Sequence, residues 1–226
     1  MKNVLVFFLM IGISFFLTGC FEIREEVTVK PDGSGSITMT LDMSESKYNL
    51  ANFMKAGEVQ GERIPSKEEI EEQLKEVEQK LRNMQGLSDI RQNKDFENFI
   101  FSISANFSNI KYLNEAINTF VKKVNENVSP PVRLVDNFRF NSGSFQRLFN
   151  YPVETVTEEE YKKLGTMERF MLESARLVQI YRFEKPVKTI SNARAQLSAS
   201  KKSVKIEHKL SDLVKGSSTV ASDLQF

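Results

Sequence analysis

Apolar and polar positions alternate from the first residues that follow a hydrophobic leader. In "FEIREEVTV" Phe21, Ile23, Val27 and Val29 share one face and Glu22 and Glu26 the other, and Glu25 is the one break in the apolar row. "SITMTLDM" alternates too, setting Ile37, Met39, Leu41 and Met43 against Ser36, Thr38, Thr40 and Asp42. Between them, "KPDGSG" combines Pro31, which fixes φ, with Gly33 and Gly35, which tolerate positive φ. The pattern predicts a β-hairpin with one apolar face.

The period then lengthens. Ser66 with Glu69 three residues on forms a capping-box signature, and Ile70, Leu74, Val77, Leu81 and Met84 recur at helical spacing. This predicts a helix over 66–84, stopped by Gly86. A second hairpin is expected over 87–107, turning near 93–95, with Phe99, Phe101, Ile103, Ala105 and Phe107 on one side. A second amphipathic helix follows over 109–125, striped by Leu113, Ile117, Phe120, Val121 and Val124. Strands are predicted around Leu134, Phe138 and Phe140, around Leu177, Tyr181 and Phe183, and along "SVKIEHKL", where His208 is in phase with Val204, Ile206 and Leu210. One or two short helices are expected between Tyr151 and Glu173, and an edge strand at the C-terminal end.

Each amphipathic helix needs a sheet face to bury against. The expected fold class is therefore α+β, a two-layer sandwich in which a mostly antiparallel sheet carries two long amphipathic helices on one face. Leu74, Val77, Leu113, Ile117 and Phe120 are the expected contacts. No composition shift divides 20–226, which reads as a single α+β domain.

The first 19 residues stand apart. Lys2 precedes "VLVFFLMIGISFFL", which has the length of a signal-peptide hydrophobic core and is short for a bilayer span of about 20 residues. Leu17, Thr18, Gly19 and Cys20 then resemble, residue by residue, the cleavage box of bacterial lipoprotein signals. That resemblance implies removal of 1–19 and attachment of acyl chains such as palmitate to Cys20. One chain holds a protein at a membrane only marginally, whereas two or three hold it stably. Phe21 replaces the aspartate of an inner-membrane retention signal, which favours the outer membrane of a two-membrane envelope.

Composition narrows the chemistry. The 31 Lys and Arg nearly balance the 30 Asp and Glu, so no basic excess points to nucleic acid. Cys20 is the only cysteine and His208 the only histidine, so neither a Cys-type zinc site nor a His-rich metal site is expected, and no cofactor. Glu207 falls on the opposite face of its strand and cannot orient His208. The acids cluster as "REE", "KEEIEE" and "TEEEY" on expected exposed faces or in first helical turns. "DNFRFNSGSFQRLFNYP" gathers Phe138, Phe140, Phe145, Phe149 and Tyr151 around Arg139 and Arg147. Exposed, these rings would form a patch for a ligand, a partner or a membrane; buried, Phe138 and Phe140 would be core, with Phe145 and Phe149 covering a sheet edge.

The hairpin opened by Cys20, with its Pro-Asp-Gly-Ser-Gly turn over Lys30 to Gly35, resembles uncharacterised bacterial cell-envelope lipoproteins of the LppM type. Phe183, Pro186, Ser191, Asn192, Val204 and Leu210 fit the distal part of that pattern. The resemblance implies an envelope lipoprotein with no recognised catalytic residues. The expected function is a membrane-anchored, non-enzymatic module that binds an envelope protein or an apolar ligand. A hydrolase built on two carboxylates and a purely structural envelope component are the alternatives.

Overall fold

The computed structural model describes residues 21–59, 61–124, 136–148 and 173–226. β1 (Glu22–Val29) and β2 (Gly35–Asp42) form the expected hairpin, paired from Glu22↔Asp42 to Val29↔Gly35. Gly33 takes φ +82° in its turn, and Asp32 accepts from the Ser34 amide and hydroxyl at 3.0 and 2.7 Å. An excursion follows that the pattern did not reveal: helix α1 (Lys47–Ala56), no residue of which is buried, and a small ladder of β3 (Glu58–Val59) with β4 (Glu62–Arg63). Its helix carries no apolar stripe wide enough to announce it.

Helix α2 (Lys67–Arg82) begins with the full capping box: Ser66 Oγ accepts from the Glu69 amide at 3.2 Å, and the Ser66 amide donates to Glu69 Oε2 at 2.8 Å. Gly86, at φ +75°, turns the chain into β5 (Leu87–Asp95). A Cβ at Gly86 would stand 2.1 Å from the Tyr112 ring, so this position needs glycine for both backbone and space. β5 pairs with β6 (Ile100–Phe107) with one register shift between Ser88 and Arg91. There Asp89 takes φ 56° and Ile90 is buried. This bulge explains why "LSDIRQ" does not alternate. The hairpin turns over 96–99, a few residues later than the pattern suggested.

Helix α3 (Ile110–Val124), then β7 (Phe138–Asn141), β8 (Ser144–Arg147) and β9 (Arg176–Phe183) follow. The chain ends with β10 (Thr189–Ile190), β11 (Gln196–Leu197), β12 (Ser203–Lys209), the short helix α4 (Leu210–Val214) and β13 (Ser222–Gln225). Seven strands form one mixed sheet in the order β11-β12-β9-β1-β2-β6-β5, in which only β1 and β9 are parallel. The fold is α+β with a largely antiparallel core.

A four-stranded sheet, β10-β13-β8-β7, departs from the expected two layers. The C-terminal strand β13 is interior to it, between β10 and β8, rather than an edge. Its members are two to four residues long, too short for alternation to signal a sheet. Leu224, Phe138 and Phe145 from this sheet pack with Val27, Tyr181 and Ile206 of the large sheet and Leu113 of α3 in one core. A second cluster joins Leu81 of α2 to Ile90, Ala105 and Ala116. Leu113 is buried, Leu74, Val77 and Ile117 are partly so, and the side chain of Phe120 lies outside what the structure describes. The opposite face of the large sheet carries the ion pairs Arg182–Glu26 at 3.0 Å and Arg176–Glu207 at 3.4 Å beside the buried Val178.

Candidate functional site

Strand phase delivers an unusual set of polar side chains to the inner face. Glu25 lies in the same row as Ile23 and Val27, and β9 sets Gln179 and Tyr181 in the adjacent row, with Gln179 directly beside Glu25. β12 adds His208 one strand further on. Glu25 is 5% exposed, Gln179 and Tyr181 0%, and His208 1%. Arg147, at the end of β8, reaches this row from the small sheet.

These groups bond to one another. Arg147 donates from Nε to Glu25 Oε1 at 3.2 Å and from Nη2 to Oε2 at 3.1 Å, a bidentate pair. Tyr181 donates its hydroxyl to Glu25 Oε1 at 2.8 Å, and Gln179 Nε2 donates to the same oxygen at 3.2 Å. Arg147 Nη1 donates to the carbonyls of Leu148 and Asn137 at 2.9 and 3.3 Å. Its guanidinium lies 4.6 Å from the centre of the Phe138 ring. Burial opposes the charge of Arg147, but the adjacent Glu25 carboxylate outweighs it and holds the guanidinium pKa above its ordinary value. Burial, and then Glu25, push the Tyr181 phenol well above its ordinary value, so it remains a donor.

The network continues to His208. The Glu25 carboxylate requires the Gln179 amide nitrogen, so Gln179 Oε1 faces His208 Nε2, 3.2 Å away. Nε2 is then the protonated nitrogen, and Nδ1 accepts from Ser218 Oγ at 2.7 Å. Burial, reinforced by Arg194 and partly offset by Asp212, lowers the His208 pKa below 6.5. The unfolded chain therefore takes up a proton here before the folded one does. The stability tied to neutral His208 is complete above about pH 6.5 and is lost as pH falls toward the lowered folded-state value. Urea midpoints measured between about pH 7.5 and 5.5 are expected to fall more steeply for the wild type than for His208→Gln. Parallel slopes would contradict a buried neutral imidazole.

On the α2 and α3 side of this network the described residues line a hollow of about 390 Å³. Met39, Ile103 and Ala105 of the sheet form its floor, Leu81, Leu113 and Ile117 of the helices its roof, and Glu25 and Arg147 stand at one end. The helix α3 that roofs it is fixed by Asn114, whose Nδ2 donates to the Phe138 carbonyl at 2.8 Å while Oδ1 accepts from the Asn137 and Phe138 amides at 2.9 and 2.8 Å. Arg147 also borders a second, open hollow of about 510 Å³, lined by hydroxyl and amide groups such as Ser191, Asn192, Ser218 and Thr219. The first has the character of a small-molecule site: apolar walls, a volume within roughly 300–1,000 Å³, and few convergent polar groups.

Of the aromatic residues singled out in the sequence, Phe138 and Phe145 are fully buried. The Phe145 ring is tilted against Tyr181 at 5.0 Å and edge-on to Phe183 at 5.2 Å between centroids, and the half-buried Phe140 meets Phe226 at 6.3 Å. Phe149, Tyr151 and Cys20 lie outside the described residues, as do the helices expected after Tyr151. What the aromatic stretch contributes to the hollow is Arg147. Glu25 carried a signal, the break in an apolar row, whereas Gln179 and Asn114 were not distinguishable from surface amides.

Among the described residues no three His, Cys, Asp or Glu side chains gather in a way that could hold a metal, and no helix is long and apolar enough to cross a membrane. No protein family matches the chain, and no curated protein matches it. Its structure is similar to the folded domain of LppM from Mycobacterium tuberculosis, determined by NMR, with a TM-score of 0.40 and 11% identity over 92% of this chain and 89% of that one.

Proposed function

We propose that this chain is a lipid-anchored protein of the cell envelope whose folded domain is a non-enzymatic module that holds an apolar small molecule between α2, α3 and the inner face of the sheet. The observation that carries the binding reading is the hollow of about 390 Å³, lined mostly by apolar side chains, with Ser104, Glu25 and Arg147 as its polar residues. Burial of a hydrocarbon there contributes about 25 cal/mol per Å² of apolar surface removed from water. In this reading residues 1–19 are a cleaved signal, 20–226 form one domain on whose sheet the two helices lie side by side, Cys20 carries the acyl chains, and the anchor sits in the outer membrane. Tethering would keep the hollow close to a reservoir of apolar molecules.

The carboxylate-hydrolase alternative needs two acids facing each other across a cleft, about 5–9.5 Å apart. Among the residues lining the apolar hollow Glu25 is the one carboxylate, and Asp223 is the one at the open hollow. Neither arrangement favours that chemistry.

Two measurements test the proposal. The naphthylamine dye 1-NPN, whose fluorescence rises in apolar surroundings, is expected to bind the purified domain and to lose at least about tenfold in affinity on Ala116→Phe, which places a ring in the hollow. Undiminished binding by a folded Ala116→Phe protein would place the dye elsewhere. In cells, Cys20→Ser is expected to accumulate as uncleaved precursor, and mass spectrometry of the wild type to find an acylated cysteine at the mature N-terminus. An unmodified chain starting at Met1 would refute the anchor.

A further inference from the structure

The end wall of the hollow specifies more than an apolar occupant. Glu25 Oε1 is saturated, accepting from Arg147, Tyr181 and Gln179, while among the described residues Oε2 accepts one bond, from Arg147 Nη2. An ionised carboxylate has about four acceptor sites on its two oxygens, so Oε2 retains capacity for a further donor. Most donors of the cation beside it are committed: Arg147 spends Nε and one Nη2 hydrogen on Glu25 and Nη1 on backbone carbonyls of Asn137 and Leu148. The two charges compensate each other in a site where Glu25 is 5% exposed.

Resting on the apolar-ligand reading above, we infer that the hollow selects a ligand with an uncharged, hydrogen-bond-donating head, an alcohol or a primary amide, placed against Glu25 Oε2, and discriminates against fatty-acid anions. A carboxylate only accepts hydrogen bonds, so it has nothing to give Oε2. It would also bring a second negative charge beside a buried one whose cation is already neutralised. An alkylammonium donates well but meets the guanidinium at short range and leaves net charge in a largely apolar hollow. A hydroxyl donates to Oε2 at no electrostatic penalty. Glu25 and Arg147 are thus specificity-determining as a pair, through the neutrality of their sum.

The experiment compares decanol, decanoate and decylammonium as competitors for 1-NPN at neutral pH, each below its aggregation limit. A hydrogen bond to a charged acceptor predicts that decanol binds the wild type at least about tenfold more tightly than either ion. Glu25→Gln leaves Arg147 uncompensated and is expected to shift the decanoate-to-decanol ratio toward the acid by about tenfold, while Arg147→Gln shifts the decylammonium ratio toward the amine by a similar factor. Circular dichroism checks that each variant is folded, and wild-type selectivity decides the matter if one is not. Equal or tighter binding of decanoate to the wild type would overturn this inference and leave the apolar-ligand reading standing. Failure of all three to displace the dye would remove both.

Discussion

Arg147→Met is expected to destabilise the domain by about 3–5 kcal/mol in urea unfolding, because it strands the Glu25 carboxylate in the core without its cation. Glu25→Leu should be costly in the same way, leaving a guanidinium whose side chain is 12% exposed with no carboxylate partner. The double variant is the informative one. Leucine and methionine can pack against Met39, Ile37 and Phe138, so the pair together should be more stable than either single variant. It should still fall short of the wild type by about 1–3 kcal/mol, since the Tyr181 hydroxyl and the Gln179 amide lose the acceptor they share. A single variant within about 1 kcal/mol of wild type would mean that the pair is not buried as described.

Phe145→Ala should be equally damaging for a different reason. The ring is 0% exposed and lies between Phe138, Tyr181 and Phe183, at the point where the four-stranded sheet packs onto the seven-stranded one. Large-to-small changes at such aromatic core positions cost about 3–5 kcal/mol. The loss should appear in stability, with 1-NPN affinity of the folded fraction changed little, because Phe145 is not among the residues lining the hollow. A stable Phe145→Ala protein that no longer binds the dye would instead make the ring part of a ligand surface.

Much of this architecture is legible in the sequence because period-2 and period-3.6 patterns report burial directly. The β1–β2 hairpin, the capping box at Ser66 and the inward phase of Tyr181, Ile206 and His208 all follow from spacing. The small sheet is legible only in part: the strand at Phe138 and Phe140 and the C-terminal strand are read, but not β8, β10 or their assembly into one sheet. Strands of two to four residues carry too few positions for a pattern, and the β13–β8 pairing joins segments some eighty residues apart, such as Gln146 with Asp223. The bulge at Asp89 hides β5 in a related way, since one inserted residue reverses the phase of every later position in the strand.

The candidate site is half legible. Glu25 interrupts an apolar row, and a charge on a buried face needs a partner, but the row cannot say which of the many arginines supplies it. Arg147 stands among aromatics whose own burial draws the eye to the rings rather than to the cation between them. The hollow itself belongs to no segment. It is the space left where α2 and α3 meet a sheet face carrying Ala105, and small residues such as Ala116 and Ala105 read in sequence as ordinary core.

The most direct test of the central claim is a methyl NMR titration of the anchor-free domain with decanol. The account predicts saturable shifts concentrated at the Ile37, Ile103, Leu113 and Ile117 methyls around the hollow, with Val187 and Val204 of the neighbouring core nearly unmoved. Shifts spread evenly over the surface, or confined to the open hollow around Ala193 and Thr219 with the four hollow methyls unchanged, would contradict it.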